Sequence, residues 1–438
     1  MKEGKVGMLA LLHVVVLMLV LCVSSSSSSL SSASYFDQKQ NRRKSMVPTQ
    51  RTSSLKLNRV GSSIVLPVDG NVYPIGFYNV TLNIGQPSKP YFVDPDTGSN
   101  LTWLQCDAPW AQFSVTPHAH YEPSSENKVP CKDPLCQSLH PPGEHRCETP
   151  EQCDYELQYL DGLLSYGVLV KDVFSFNSIS GEQFIPSLAL GCGYNQTPGF
   201  FSHPSDGILG LGKGESSFLS QLSSQELVKN VVGHCLSVRG GGYFFLGDDL
   251  YDSSHVIWTS MSLDHPEHYS PGYAELKYGE KSTGIENLLT VFDSGSTYTY
   301  LISSAYQAFI SLVMEELTGS SLSEALDDHT LTLCWKGEKP FKSLQDVKTY
   351  FKPFALSFTN GGKAKAKFEM PLEAYLIISH KGNVCLGILD GGKIDVNIIG
   401  DISMQDKLVI YNNEEQLIGW MNEKNCDLLP KSKTTSIW

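Results

Sequence analysis

Asp96 and Asp293 are the residues of this chain whose type and setting best suit them to chemistry. Asp96 lies in Val93-Asp-Pro-Asp-Thr-Gly-Ser-Asn-Leu-Thr-Trp103, and Asp293 in Val291-Phe-Asp-Ser-Gly-Ser-Thr297. Each carboxylate ends an apolar run. A small hydroxyl residue, a glycine and a serine follow at once: Thr97, Gly98 and Ser99 in the first copy, Ser294, Gly295 and Ser296 in the second. Glycine lets the backbone turn sharply, and the hydroxyls can fix the orientation of a carboxylate. One such tetrapeptide reads as an ordinary turn. Two copies 197 residues apart, in corresponding halves, do not. Two carboxylates side by side cannot both ionise easily. Sharing one proton, they can serve as base and acid towards a single water molecule across an acidic range.

Holding two such loops together requires a rigid frame, and the sequence supplies mostly strands. Tyr73–Val93 alternates and clusters β-formers around Gly85-Gln-Pro and Lys89-Pro, which predicts two antiparallel strands leading into the first motif. Asp154–Phe176 reads as β with a turn at 160–163, Leu188–Cys192 as a strand, Gly207–Gly212 as turn-rich, and Val238–Leu246 as a hairpin around Gly240–Gly242. Ser216–Lys229 predicts one short helix. In the second half, strands near Val256–Trp258 and Tyr273–Tyr278 lead to Asp293. Tyr306, Phe309, Ile310, Val313 and Leu317 then give helical spacing over Ser304–Leu317. Short alternating segments follow at 355–358, 375–378, 384–389, 408–412 and 416–421. The expectation is a mostly β protein of two related lobes.

The two motifs resemble the paired active loops of pepsin-type aspartic proteases. The wording around them is similar to that of the plant nucellin-like members: WLQCDAPW, CDYELQYLDG, LALGCGYNQ, DGILGLGKG, LLTVFDSGSTYTYL and NIIGDISMQDKLVIY, from about Tyr73 to Cys426. The resemblance implies a bilobal pepsin-like acid protease fold with the active site in the interlobe cleft. Asp96 and Asp293 would hold the lytic water, and Thr97, Gly98, Ser99, Ser294, Gly295 and Ser296 would support the dyad. It also implies a flap hairpin whose Tyr159 bonds Trp103, with ordinary core packing the alternative for either ring. Leu160 stands where many members have Gly or Ala. Ile208-Leu-Gly210 and Ile398-Ile-Gly400 match the segments that cross behind each active loop. No cofactor is implied, the substrate is a protein or peptide, and the chain is expected to act as a monomer. Pro95 lacks a backbone donor, so a strand bond beside Asp96 is expected to be missing. The alternative is a non-catalytic binding protein on the same scaffold, like the plant xylanase inhibitors. A serine hydrolase lacks its Gly-x-Ser-x-Gly elbow here.

Composition frames these expectations. The chain has 438 residues and a net charge of −13. Residues 1–60 carry nine Lys/Arg against Glu3 and Asp37, a net +7, which leaves −20 for the rest. So acidic a body argues against nucleic acid as a partner. Met8–Val23, behind Lys2 and Lys5 and ahead of a serine-rich tract, reads as a signal peptide, with a signal anchor as the alternative. The reading is 1–34 signal peptide, 35–70 basic leader or prosegment, 71–255 N-terminal lobe with a disulfide-rich insert at 106–153, 256–428 C-terminal lobe, and 429–438 flexible tail. No stable membrane anchor is expected after signal cleavage. The destination is the secretory pathway, extracellular (apoplast) or vacuolar.

Of eleven cysteines, ten lie outside the leader, an even number suited to an oxidising compartment. Cys131, Cys136, Cys147 and Cys153 read as two nested disulfides, Cys131 with Cys153 and Cys136 with Cys147, with zinc the second choice. Relatives carry further cysteines where Trp110 and Phe113 stand, so Cys106 is hypothesised to pair with Cys192. Cys334 with Cys385 and Cys235 with Cys426 complete the set. The histidine pairs His118/His120 and His265/His268 read as loop residues, and no metal site is expected. GILGLGKG fails as a phosphate loop because Gly214 replaces the required Ser/Thr. Asn79 and Asn195 are glycosylation candidates, whereas Asn100 lies too close to the active loop.

Overall fold

The computed structural model describes residues 63–106, 118–140, 147–197, 204–279, 281–360 and 364–430. The expected signal peptide, most of the basic leader, part of the insert and most of the C-terminal tail lie outside them. All the described residues belong to one compact unit. It begins earlier than the expected lobe boundary at 71. Ile64–Asn71 is a strand: Ile64, Leu66 and Val68 alternate inward, Pro67 and Asp69 are exposed, and Val65 packs on a separate core on the other face.

A 13-stranded sheet carries the first motif. Strand Ile64–Asn71 runs antiparallel to both Phe77–Ile84 and Gly242–Leu246, and Phe77–Ile84 pairs in turn with Lys89–Asp96. The strands Lys407–Asn412 and Leu417–Asn422, late in the chain, join the same sheet through Val231–Leu236, so the two halves share a base. An eight-stranded sheet carries the second motif.

The same device appears twice. In the first half, Lys89–Asp96 lies parallel to Gly207–Gly210, from Val93↔Gly207 to Asp96↔Gly210, and that segment is antiparallel to Trp103–Gln105. In the second, Leu288–Phe292 lies parallel to Asn397–Ile399, and Ile398 pairs antiparallel with Tyr300. Each active loop therefore leaves one strand and enters another with a hydrophobic-hydrophobic-glycine segment threaded between them. Gly207–Gly210 was expected to be turn-rich and is instead a buried strand. Its glycines serve close approach, since a Cβ at Gly207 would strike the Trp103 carbonyl.

Helix Ser303–Leu317 packs Ala305, Tyr306, Phe309, Val313 and Leu317 inward. The helix expected over Ser216–Lys229 is only Phe218–Ser224. Ser217 caps it by accepting from the Ser220 N–H at 3.2 Å, and Glu226 turns left-handed at φ 58° and ends it.

Disulfides join Cys106–Cys192, Cys235–Cys426 and Cys334–Cys385. The insert is a correction. Its bonds are Cys131–Cys147 and Cys136–Cys153, interleaved rather than nested. Asp133 caps the short helix Pro134–Ser138, which turns Cys136 into a small core with Trp103, Tyr155 and Cys153. Cys153 is fixed there by backbone bonds to Val129 and Leu169, both 2.8 Å. Cys131 and Cys147 remain half-exposed and meet each other.

Candidate active site

Asp96 and Asp293 converge from the two sheets, and each carboxylate is held by the same pair of groups from its own loop. The Gly98 N–H donates to Asp96 Oδ1 at 2.7 Å, and the Ser99 hydroxyl donates to Asp96 Oδ2. The Gly295 N–H donates to Asp293 Oδ1 at 3.0 Å, and the Ser296 hydroxyl to Asp293 Oδ2 at 2.8 Å. A Cβ at Gly98 would stand 2.6 Å from Asp293 Oδ1, and one at Gly295 would stand 2.5 Å from Asp96 Oδ1. Both glycines therefore face the opposite carboxylate, at a distance no side chain could keep.

Behind the carboxylates the loops clasp each other. Thr97 N–H donates to Ser294 Oγ at 3.1 Å, and Ser294 N–H donates to Thr97 Oγ1 at 3.0 Å. The same hydroxyls donate onward across the interface, Thr97 to the Phe292 carbonyl at 3.4 Å and Ser294 to the Pro95 carbonyl at 2.6 Å. Thr97 and Ser294 are 1% and 3% exposed, so these bonds form away from water. Pro95 fits this role, because the clasp uses its carbonyl and needs no donor from it. The ladder to Phe77–Ile84 stops at Val93, two residues short of the proline.

Burial first, and then the charge of Asp293, hold the Asp96 carboxyl well above its ordinary value, while the bonds from Ser99 and Gly98 pull the other way. Such a pair binds a proton where isolated carboxyls have lost theirs. Trp103 Nε1–H donates to the Tyr159 hydroxyl at 2.8 Å. Tyr159 stands in the hairpin turn between Asp154–Gln158 and Leu164–Val173, closed by Tyr159 N–H to Leu163 O at 2.8 Å. Burial, and then the charge of Asp96, push its phenol up. Leu160 at the tip is 74% exposed.

Three residues near the dyad were not singled out from the sequence. Tyr300 is the counterpart of Trp103, each seven residues past its aspartate. Its phenol makes no hydrogen bond among the described residues, and burial and the charges of Asp161 and Asp293 push it up to about 12. The equal offset was the available signal. Asp401 follows Gly400, donates its N–H to the Ser296 carbonyl at 2.8 Å, and is 2% exposed with Oδ1 unpartnered among the described residues. Asp94 shares the strand of Asp96, and the Asp-x-Asp alternation would have marked it.

The remaining candidates fall elsewhere. Asn195 is exposed and Asn79 half-buried. Asn100 Oδ1 accepts from the Gly214 N–H at 2.8 Å, beneath the active loop. His118 has an acidic partner that the sequence did not show, Asp206 at 2.6 Å, and His265 lies 3.3 Å from Glu267. The three clusters of potential metal ligands among the described residues each contain two or more cysteines, and all of those are in disulfides, which leaves no thiolate to bind.

The sequence matches two family descriptions, Xylanase inhibitor N-terminal over residues 78–248 and Xylanase inhibitor C-terminal over residues 280–422. It is similar to an aspartic proteinase of Oryza sativa subsp. japonica, 44% identical over 395 residues that cover 87% of this chain and 95% of the relative. Aspartic proteinase nepenthesin-1 of Nepenthes gracilis is 28% identical over 84% of this chain and 83% of its own. The crystal structure of basic 7S globulin from soybean shares the fold, with a TM-score of 0.65 and 17% identity over 83% of this chain and 97% of that one. The chain belongs to the plant aspartic proteinase family and has its pepsin-like fold.

Proposed function

We propose that the protein is an aspartic-type endopeptidase. The observation that carries this reading is the mutual clasp of Thr97 and Ser294, which holds Asp96 and Asp293 in matching hydrogen-bond settings across one interface. One carboxylate takes a proton from a water whose oxygen adds to the peptide carbonyl carbon. The carboxylic acid of the pair gives its proton to the carbonyl oxygen. The tetrahedral diol then collapses: the C–N bond breaks, the carboxyl of the pair gives its proton to the departing amine, and a diol hydroxyl gives its proton to the carboxylate. The proton moves within the coupled pair, so it belongs to neither residue alone. The Tyr159 hairpin covers the peptide and limits water.

The substrate is a protein or peptide lying extended in the cleft, and the enzyme works as a monomer without nucleic acid. It enters the secretory pathway, is glycosylated at Asn195, and acts outside the cell or in the vacuole. Among the described residues no helix is long and apolar enough to cross a membrane. The second reading, a binding protein on this scaffold, is favoured by the xylanase-inhibitor descriptions that match both halves.

One assay separates the two: cleavage of a denatured protein from acid to neutral pH, with and without a statine-type transition-state analogue. Acid-range cleavage is expected, abolished by the analogue and reduced on the order of a thousandfold or more by Asp96→Asn or Asp293→Asn. A folded protein that cleaves nothing at any pH would leave only the binding reading.

A further inference from the structure

Asp94 stands two residues before Asp96 on strand Lys89–Asp96, so the pleat sends both side chains to one face, roughly 7 Å apart along the strand. In register, Ile208 lies beside Asp94, and Gly210 beside Asp96. Val93, Pro95 and Leu209 are buried, while Asp94 and Ile208 are mostly buried but keep some exposed surface. The wall that carries Asp96 therefore continues as one carboxyl and one aliphatic side chain. The equivalent position in the second half, two before Asp293, is Val291, and it is 6% exposed.

Nothing in the fold uses the Asp94 carboxyl. It makes no hydrogen bond or ion pair among the described residues, and the charges that press on it are those of Asp96 and Asp293. Asp401, from the second half, feels Asp94 in turn. The charges it shares this place with are all acidic, and no Lys or Arg ion-pairs with Asp94, Asp96, Asp293 or Asp401 among the described residues. Burial and these neighbours hold its carboxyl well above the usual carboxylate range. A carboxyl in such a place is costly until a cation arrives.

We propose that Asp94 is a specificity-determining residue that receives the cationic side chain of a substrate lysine or arginine bound beside the scissile bond. The proposal rests on the endopeptidase reading. The ammonium or guanidinium supplies the missing counter-charge, and Ile208 packs against the methylene stem. The net −20 of the chain beyond residue 60 draws basic peptides towards the cleft.

The test uses two statine peptides that differ only in a lysine or a leucine side chain next to the statine. Their affinities for the wild-type protein, Asp94→Val and the near-isosteric Asp94→Asn are measured by calorimetry. Cleavage-site profiles of a peptide library are taken on the same proteins. The wild type is expected to favour the lysine peptide by on the order of tenfold. Asp94→Val should erase or invert that ratio, Asp94→Asn should lower it, and cleavage should move from basic to aliphatic sites. An equal lysine-to-leucine ratio in the wild type and Asp94→Val overturns the proposal and leaves the endopeptidase reading standing. Failure of both peptides to bind the wild type overturns the endopeptidase reading, and this proposal with it.

Discussion

The two active loops share one frame and differ in what surrounds it. Both carboxylates accept from the N–H two residues on and the hydroxyl three residues on, and both loops lie over a threaded hydrophobic-hydrophobic-glycine segment. The first loop, however, is tied to the Tyr159 hairpin through the Trp103–Tyr159 bond, whereas Tyr300 at the corresponding place makes no hydrogen bond among the described residues. Each half also carries one acid where its counterpart is apolar. Asp94 answers to Val291, and Asp401, which follows Gly400, answers to Leu211, which follows Gly210. A repeated frame fixes the dyad, and unrepeated neighbours make its two members chemically different.

The sharpest way to break the frame is through its glycines. Gly98→Ala or Gly295→Ala puts a methyl into the opposing carboxylate, and turnover should fall on the order of 100-fold from either side with the fold retained. A mild effect in one variant alone would show that the two loops are not equivalent. Thr97→Val keeps the shape of the clasp but strands the Ser294 N–H, and thermal unfolding should report a loss of about 1–3 kcal/mol.

The unrepeated acids are tested through pH. Asp94, Asp96 and Asp401 are all held above the ordinary 3.8. Above that pH the folded chain therefore binds more protons than the unfolded one, and stability falls as pH rises. His234 acts in the opposite sense. Burial pushes it from 6.5 down to about 3, so stability falls as pH drops through that interval. Three such acids outweigh one imidazole where the two ranges overlap, so unfolding temperature should fall as pH rises above 3.8. Asp401→Leu, which copies Leu211, should flatten that fall and add about 1–3 kcal/mol by removing an unpaired buried oxygen. An unchanged slope would remove Asp401 from this account. The smallest expected effect concerns the latch. Trp103→Phe should lower kcat/KM roughly fivefold by losing the bond to Tyr159, while Tyr300→Phe changes it less than about twofold.

Much of this was legible in the chain because it depends on neighbours in sequence. Alternation marked strands such as Phe77–Ile84, the 3.6 period marked helix Ser303–Leu317, and the doubled motif marked both aspartates. Local signals failed where long-range packing decides. Gly207–Gly210 looked like a turn and is a strand, because its glycines admit a neighbouring backbone. The four cysteines of the insert carry no pairing code, and the link of Cys136 to Cys153 follows from which sulfur the capped helix turns inward.

By itself the sequence determined the chemistry available: two carboxylates, the hydroxyls and glycines beside them, and the alternation that builds two sheets. Only the tertiary structure decided how these meet. The clasp of Thr97 on Ser294, the approach of each glycine to the opposite carboxylate, and the isolation of Asp94 and Asp401 all join residues from different halves of the chain. Hydrogen bonds and charges act through space at a few ångströms, and separation along the chain does not encode that distance.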